Sequence, residues 1–144
     1  MQQQDYHCSI TAPISAEEAF ESIANVPAWW AKHFEGSSTA LHDVFTVRFG
    51  TTNVTFEITE LIPGKRVVWY VTDCYLDFIE DKHEWTGTSV VWEVSADGDS
   101  TRIDMTHLGL VPQAECYGQC QAGWDDHIKN SLVKYMTEHA GMPV

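Results

Sequence analysis

At 144 residues the chain has the size of one domain, long enough to bury about 70% of the surface its unfolded chain exposes, so a substantial core forms without covalent staples. Twenty-one acidic side chains against eight basic ones give a formal charge of -13, which repels phosphate backbones and anionic lipid surfaces and excludes nucleic acid as the natural partner. No apolar run approaches the roughly 20 residues of a membrane span, and Met1-Gln2-Gln3-Gln4-Asp5 has neither the basic nor the apolar part of a secretory signal, so a cytoplasmic chain is expected.

Tyr6, Cys8, Ile10 and Ala12 alternate with polar residues, the period of a half-buried strand. Ser15 and Glu18 form an S-x-x-E capping box that opens a short helix with Ala19, Phe20 and Ile23 on one side, ended by Pro27. Ala28-Trp29-Trp30-Ala31 predicts another turn or two of helix, with two adjacent indoles that point different ways. Three alternating segments follow: Phe45, Val47 and Phe49; Val54, Phe56 and Ile58; and, beyond the Pro63-Gly64 turn, Val67, Trp69 and Val71. Their other faces carry Thr46, Arg48, Thr55, Glu57 and Thr59, as in an antiparallel sheet with one solvated side. Cys74 to Asp81 reads as a short further strand, and a long one is expected from about Glu84 to Val94, with Val90, Trp92 and Val94 inward. After the Asp97-Gly98 turn comes the strand Thr101 to Leu108, whose inward set is Ile103, Met105 and His107. Beyond Gly109-Leu110-Val111-Pro112 a single long amphipathic helix is predicted. At about 100° per residue, Tyr117, Cys120, Trp124, Ile128, Ser131 and Tyr135 cluster around Trp124 on one face. Gly118 and Gly123 each cost that helix about 1 kcal/mol relative to Ala, which predicts a kink or a close approach to the sheet.

With no second helix of comparable length, the apolar stripe must lie across the sheet and enclose a space. The residues expected to shape it for a small apolar or aromatic ligand are Phe45, Phe56, Trp69, Trp92, Met105, His107, Tyr117, Trp124 and Tyr135, the indoles and phenols offering large surfaces with one polar tip each. His107 reads first as a histidine satisfied by a backbone carbonyl at the strand-helix corner. The alternative makes it a ligand's hydrogen-bond partner or a general base. No catalytic residue, metal ligand or cofactor is assigned. Cys116 and Cys120 on one helix would hold their Cβ atoms about 5–6 Å apart, beyond the ~3.8 Å of a disulfide, so all four cysteines are read as thiols. The run Glu80-Asp81-Lys82-His83-Glu84 reads as a solvated turn.

The order of elements resembles the START-like helix-grip superfamily, also called the polyketide cyclase and lipid-transport superfamily. Ile14-Ser15-Ala16-Glu17-Glu18-Ala19-Phe20 is similar to its opening segment, and Ile58 to Trp69 to its paired central strands. Trp85-Thr86-Gly87-Thr88 with Thr106-His107-Leu108-Gly109-Leu110 is similar to the branch of activator of heat-shock ATPase homologues. The resemblance implies an α+β helix-grip fold over residues 1–144 as one domain: a curved antiparallel sheet around a long C-terminal helix, with two short N-terminal helices. It implies a ligand-binding or carrier domain. The alternatives it implies are a cyclase- or hydrolase-type enzyme using His107, and an interaction protein with a chaperone or homo-oligomer contact.

Overall fold

In the computed structural model, which describes residues 5–144, the alternating segments become β1 (Tyr6–Ala12), β2 (His33–Gly36), β3 (Val44–Phe49), β4 (Thr52–Ile62), β5 (Arg66–Tyr75), β6 (Ser89–Asp97) and β7 (Ser100–Leu108). They form one antiparallel sheet in the order β1-β7-β6-β5-β4-β3-β2. Register places the inward side chains in rows that cross the strands. One row runs Ile58, Trp69, Val90, His107 and Tyr6, and the next runs Val67, Trp92, Met105 and Cys8. Two register shifts in β4, at Thr55/Phe56 and Ile58/Glu60, bend the sheet around these rows.

The capping box forms as expected. Ser15 Oγ accepts from the Glu18 backbone N–H at 3.1 Å and starts α1 (Ala16–Ala24), which buries Ala19 and Ile23. The single turn α2 (Val26–Trp29) then carries the chain toward β2. Trp29 and Trp30 are both buried, contrary to the expectation that adjacent indoles diverge. Trp30 is the cap residue, already turning out of the helix, and its ring lies 6.0 Å from that of Trp29, nearly parallel.

Two stretches differ from the sequence expectation. The segment from Asp77 to Thr88 is a chain of turns, so neither the short strand beyond Tyr75 nor the first part of the long strand exists. Gly87, at φ +88°, supplies a left-handed step that reverses the chain immediately before β6. The edge strand β2 has no alternation to reveal it.

The C-terminal helix is α3 (Tyr117–Asp126), a π-helical segment His127–Leu132 and α4 (Val133–Glu138). The wider π turns absorb one residue, so the buried stripe continues as Trp124, Ile128, Leu132 and Met136, spaced by four, while Tyr135 slips to a half-buried position. Neither helix glycine meets the sheet: a Cβ built on Gly118 or Gly123 finds nothing within 4 Å. The irregularity follows those glycines and is the π segment. None of the described helices is long and apolar enough to cross a membrane.

The last residues strap the helix to α2. Val144 pairs with Trp30 and Lys32 through backbone hydrogen bonds of 3.0 and 2.9 Å, and the buried Ser131 hydroxyl donates to the Trp29 carbonyl at 2.5 Å while accepting from the Met142 N–H at 2.7 Å. Ser131→Ala removes both partners from buried or half-buried backbone groups. A loss of about 1–3 kcal/mol is expected in urea denaturation.

Candidate functional site

The interior rows are closed. Phe45, Phe56, Trp69, Trp92 and Met105 are each at most 1% exposed and pack on one another, with the Trp69 and Trp92 rings 5.3 Å apart edge to face. Neither the Trp69 nor the Trp92 Nε1–H finds a nitrogen or oxygen partner among the described residues, so the polar tips expected of these indoles are buried unpaired and offer nothing to a ligand in the cavity. Trp30, to which the sequence pattern assigns no role, fills the middle of the space. Its ring stacks on Trp69 at 6.2 Å and touches Trp124 at 4.9 Å.

His107 is fully buried, and its two nitrogens are both engaged. The Trp124 Nε1–H donates to Nδ1 at 3.1 Å; because an indole N–H only donates, Nδ1 is the acceptor and the proton sits on Nε2. Nε2–H then donates to Thr88 Oγ1 at 2.8 Å, and that hydroxyl donates to the Trp85 carbonyl at 2.6 Å. The chain fixes one neutral tautomer, and burial pushes the His107 pKa down to about 3. The partner is thus a threonine hydroxyl and an indole in place of the expected backbone carbonyl. The Trp85 ring stands edge to face on the imidazole at 4.6 Å.

An open cavity of about 140 Å³ lies beside this network, between the start of the C-terminal helix and the β3–β4 end of the sheet. Its walls are apolar: Trp30, Phe49, Val54, Leu76, Phe78, Trp85 and Trp124, with the Trp85 and Trp124 rings nearly parallel at 5.9 Å. Polar atoms come from Thr52, Gln119 and His127. Thr52 is already committed, since its hydroxyl donates to Asp77 Oδ1 at 2.6 Å and accepts from the Asp77 N–H at 3.0 Å. Gln119 and His127 make no side-chain hydrogen bond among the described residues, and burial pushes the His127 pKa below its usual range. The helix contributes Gly123 to the lining, and a Cβ built there finds nothing within 4 Å.

The turns between β5 and β6 close one side. Glu84 accepts from the Glu115 and Cys116 backbone N–H groups at 2.8 and 3.0 Å, capping the approach to α3, and Glu115 accepts from those of Glu80 and Asp81 at 2.6 and 3.0 Å. These bonds hold the Glu115 carboxyl below the usual range. The acidic run is therefore a reciprocal clamp and not only a solvated turn. Asp77 ties the same turns to the β3–β4 hairpin through the Thr51 and Thr52 hydroxyls.

Cys116 and Cys120 are joined as a disulfide, which corrects the reading of four thiols; Cys8 and Cys74 are free and buried. Cys116 is the residue before the helix, and there the two Cα atoms stand 5.6 Å apart, a separation a disulfide spans. Among the described residues no group of three or more His, Cys, Asp or Glu converges to hold a metal.

Of the nine residues expected around a ligand, Trp124 alone lines this cavity. The core rows form the wall behind it. Tyr117 is half-buried beside a separate polar cleft with Tyr6 and Gln121, and the Tyr135 hydroxyl accepts from Asn25 at 2.8 Å on the far side of the helix. Sequence signals exist for some of the cavity residues outside that set. Trp29-Trp30 is an uncommon pair, and a helix-interior glycine four residues before a histidine marks Gly123 and His127.

No family model matches the sequence, and no curated protein matches it. The structure is similar to that of the Aha1 dimer from Colwellia psychrerythraea, with a TM-score of 0.78 and 19% identity over 98% of this chain and 100% of that one. The chain has the START-like helix-grip fold. Other helix-grip structures similar to it are DynU16 of the dynemicin biosynthetic locus, with a TM-score of 0.68 and 16% identity over 93% of this chain and 47% of that one, and CalU16 from Micromonospora echinospora, with a TM-score of 0.64 and 12% identity over 90% and 73%. At such identities the likeness is one of fold, and what the helix-grip frame does here is read from its own cavity.

Proposed function

We propose that this chain is a single-domain, cytoplasmic binding or carrier protein for a small apolar or aromatic molecule, held in the cavity under α3. The observation that carries the reading is Gly123: a helix-interior glycine in the cavity lining, costing about 1 kcal/mol, that no close backbone approach requires. A volume of about 140 Å³ suits one aromatic ring, since apolar cavities of ~150 Å³ take up benzene. In this reading Trp30, Trp85 and Trp124 contact the ring, and Gln119 and His127 meet any polar substituent at the open side. Phe45, Phe56, Trp69, Trp92 and Met105 serve as the rigid backing, and Tyr117 and Tyr135 stand outside the contact set. The structure favours carriage over proton-transfer chemistry at His107, whose nitrogens are both occupied and whose ring does not reach the cavity. The dimer found for the Colwellia protein supports self-association here as a second contact, independent of the cavity.

Toluene titrated into the wild-type protein is expected to alter tryptophan emission saturably. Gly123→Leu should weaken that binding by at least about tenfold, or ~1.4 kcal/mol, while leaving the thermal midpoint unchanged or raised. Equal affinity in the two proteins, or no saturable change in the wild type, would contradict the proposal.

A further inference from the structure

The ligand reading leaves the bridged pair Cys116–Cys120 without a role, yet its two sulfurs differ sharply in access. Cys120 lies on the cavity wall, one helical turn below Gly123 and Trp124. Cys116 is 0% exposed, behind that wall, and its Sγ accepts the Trp85 indole N–H at 3.3 Å. A nucleophile that enters the cavity therefore meets Cys120 and cannot meet Cys116. In thiol–disulfide exchange the sulfur attacked and the sulfur expelled are distinct, and the expelled one must carry negative charge. Cys116 is placed for the second role. It stands at the N-terminus of α3, where the helix dipole favours an anion, with an indole N–H already directed at its sulfur. The neighbouring Glu84 carboxylate is turned onto the Glu115 and Cys116 backbone N–H groups.

We propose that this bridge is a thiol–disulfide exchange site that takes small uncharged thiols through the cavity. The thiolate of the entering molecule attacks Cys120 Sγ, and the bond between the two protein sulfurs breaks. Its electron pair passes to Cys116 Sγ, which leaves as a thiolate against the Trp85 N–H. A second thiolate attacks the small molecule's sulfur in the mixed disulfide; the bond from that sulfur to Cys120 Sγ breaks, its electron pair leaves on Cys120, and the small disulfide is released. Two small thiols are thus oxidised, the protein bridge is reduced, and the two thiol protons end on Cys116 and Cys120. Selectivity for uncharged thiols follows from the apolar indole walls and from a chain of net charge -13, which repels anionic ones. The proposal rests on the cavity being open to entry and not on a resident ligand, so toluene binding and thiol exchange can fail separately.

The test begins with wild-type protein prepared without reductant, treated with near-stoichiometric benzyl mercaptan, quenched in acid and mapped by peptide mass spectrometry. The mixed disulfide is expected on Cys120, with at least about tenfold less on Cys116. Gly123→Leu should slow adduct formation by a similar factor, and 2-mercaptoethanesulfonate should react at least about tenfold more slowly than benzyl mercaptan at low salt. As a second readout, Cys116→Ser and Cys120→Ser proteins are mixed with 2,2′-dithiodipyridine. The thiol left at Cys120 should release pyridine-2-thione about tenfold or more faster than the one left at Cys116. Four free thiols in the unreduced wild type, an adduct on Cys116, or equal rates in the two serine variants would overturn the proposal.

Discussion

Replacing Trp124 by alanine is expected to destabilise the protein by about 3–5 kcal/mol, the range for deleting a large aromatic side chain from a core. Trp124 is 2% exposed and lies in the middle of the stripe that joins helix to sheet, within 6.4 Å of the Trp30, Trp85 and Trp92 ring centroids. Its loss also deprives the buried His107 Nδ1 of its only donor among the described residues, and an unsatisfied buried acceptor costs about 1–3 kcal/mol. Relaxation of Trp30 into the vacated space opposes both effects and sets where in the range the value falls. Urea denaturation should show the midpoint falling with an unchanged slope. A midpoint equal to that of the wild type would mean that this helix face does not hold the sheet.

Stability is expected to rise with pH between about pH 3 and pH 6.5, with His107 as the principal cause. The imidazole is neutral in the fold, with its pKa lowered to about 3 by burial, whereas in the unfolded chain it titrates near its usual ~6.5. Between these values the unfolded state binds the extra proton, so the stabilisation is full above pH 6.5 and is lost as pH falls toward 3, with a limiting slope of about 1.4 kcal/mol per pH unit for one proton. His127 contributes in the same direction, its pKa being lowered by partial burial. The carboxyls of Asp77, Asp104 and Glu115, all held low, add to the loss only where carboxylates titrate. The region from pH 4.5 to 6.5 therefore reports the histidines. Urea-derived stabilities across that region should climb with pH in the wild type, and most of the slope should persist in His127→Asn. A flat profile, or a slope that disappears with His127, would contradict the hydrogen-bond assignment at His107.

The elements that follow a single period are legible in the amino-acid sequence alone. The alternation in β1, β3, β4, β5 and β7 and the S-x-x-E cap of α1 are local patterns, and each leads to the element observed. The helix face is legible as far as Ser131 and fails at Tyr135. By its end the π segment has shifted the stripe by one residue, to Leu132 and Met136, and nothing in a 3.6-residue wheel foretells that. The cavity is harder still. Its walls come from a one-turn helix, a loop of turns and a hairpin, so Trp30, Trp85 and Leu76 meet only through tertiary contact. Periodicity identifies the residues that face inward, and those form the packed wall. The open space lies where the pattern breaks, at the Asp77 to Thr88 turns and at Gly123. The disulfide is hidden for another reason: the i, i+4 rule gives a Cβ separation too wide for a bridge, whereas at the start of α3 the two Cα atoms stand 5.6 Å apart, within bridging range.

An aromatic-ring cavity bounded by Trp85 and Trp124 and backed by a closed core should be visible in the six indole N–H resonances of the ¹⁵N-labelled protein during a toluene titration. Saturable shifts are expected, largest at Trp85 and Trp124 and small at Trp69 and Trp92, with the midpoint raised at least about tenfold in Gly123→Leu. Resonances unmoved at saturating toluene, or shifts centred on Trp69 and Trp92, would contradict that cavity.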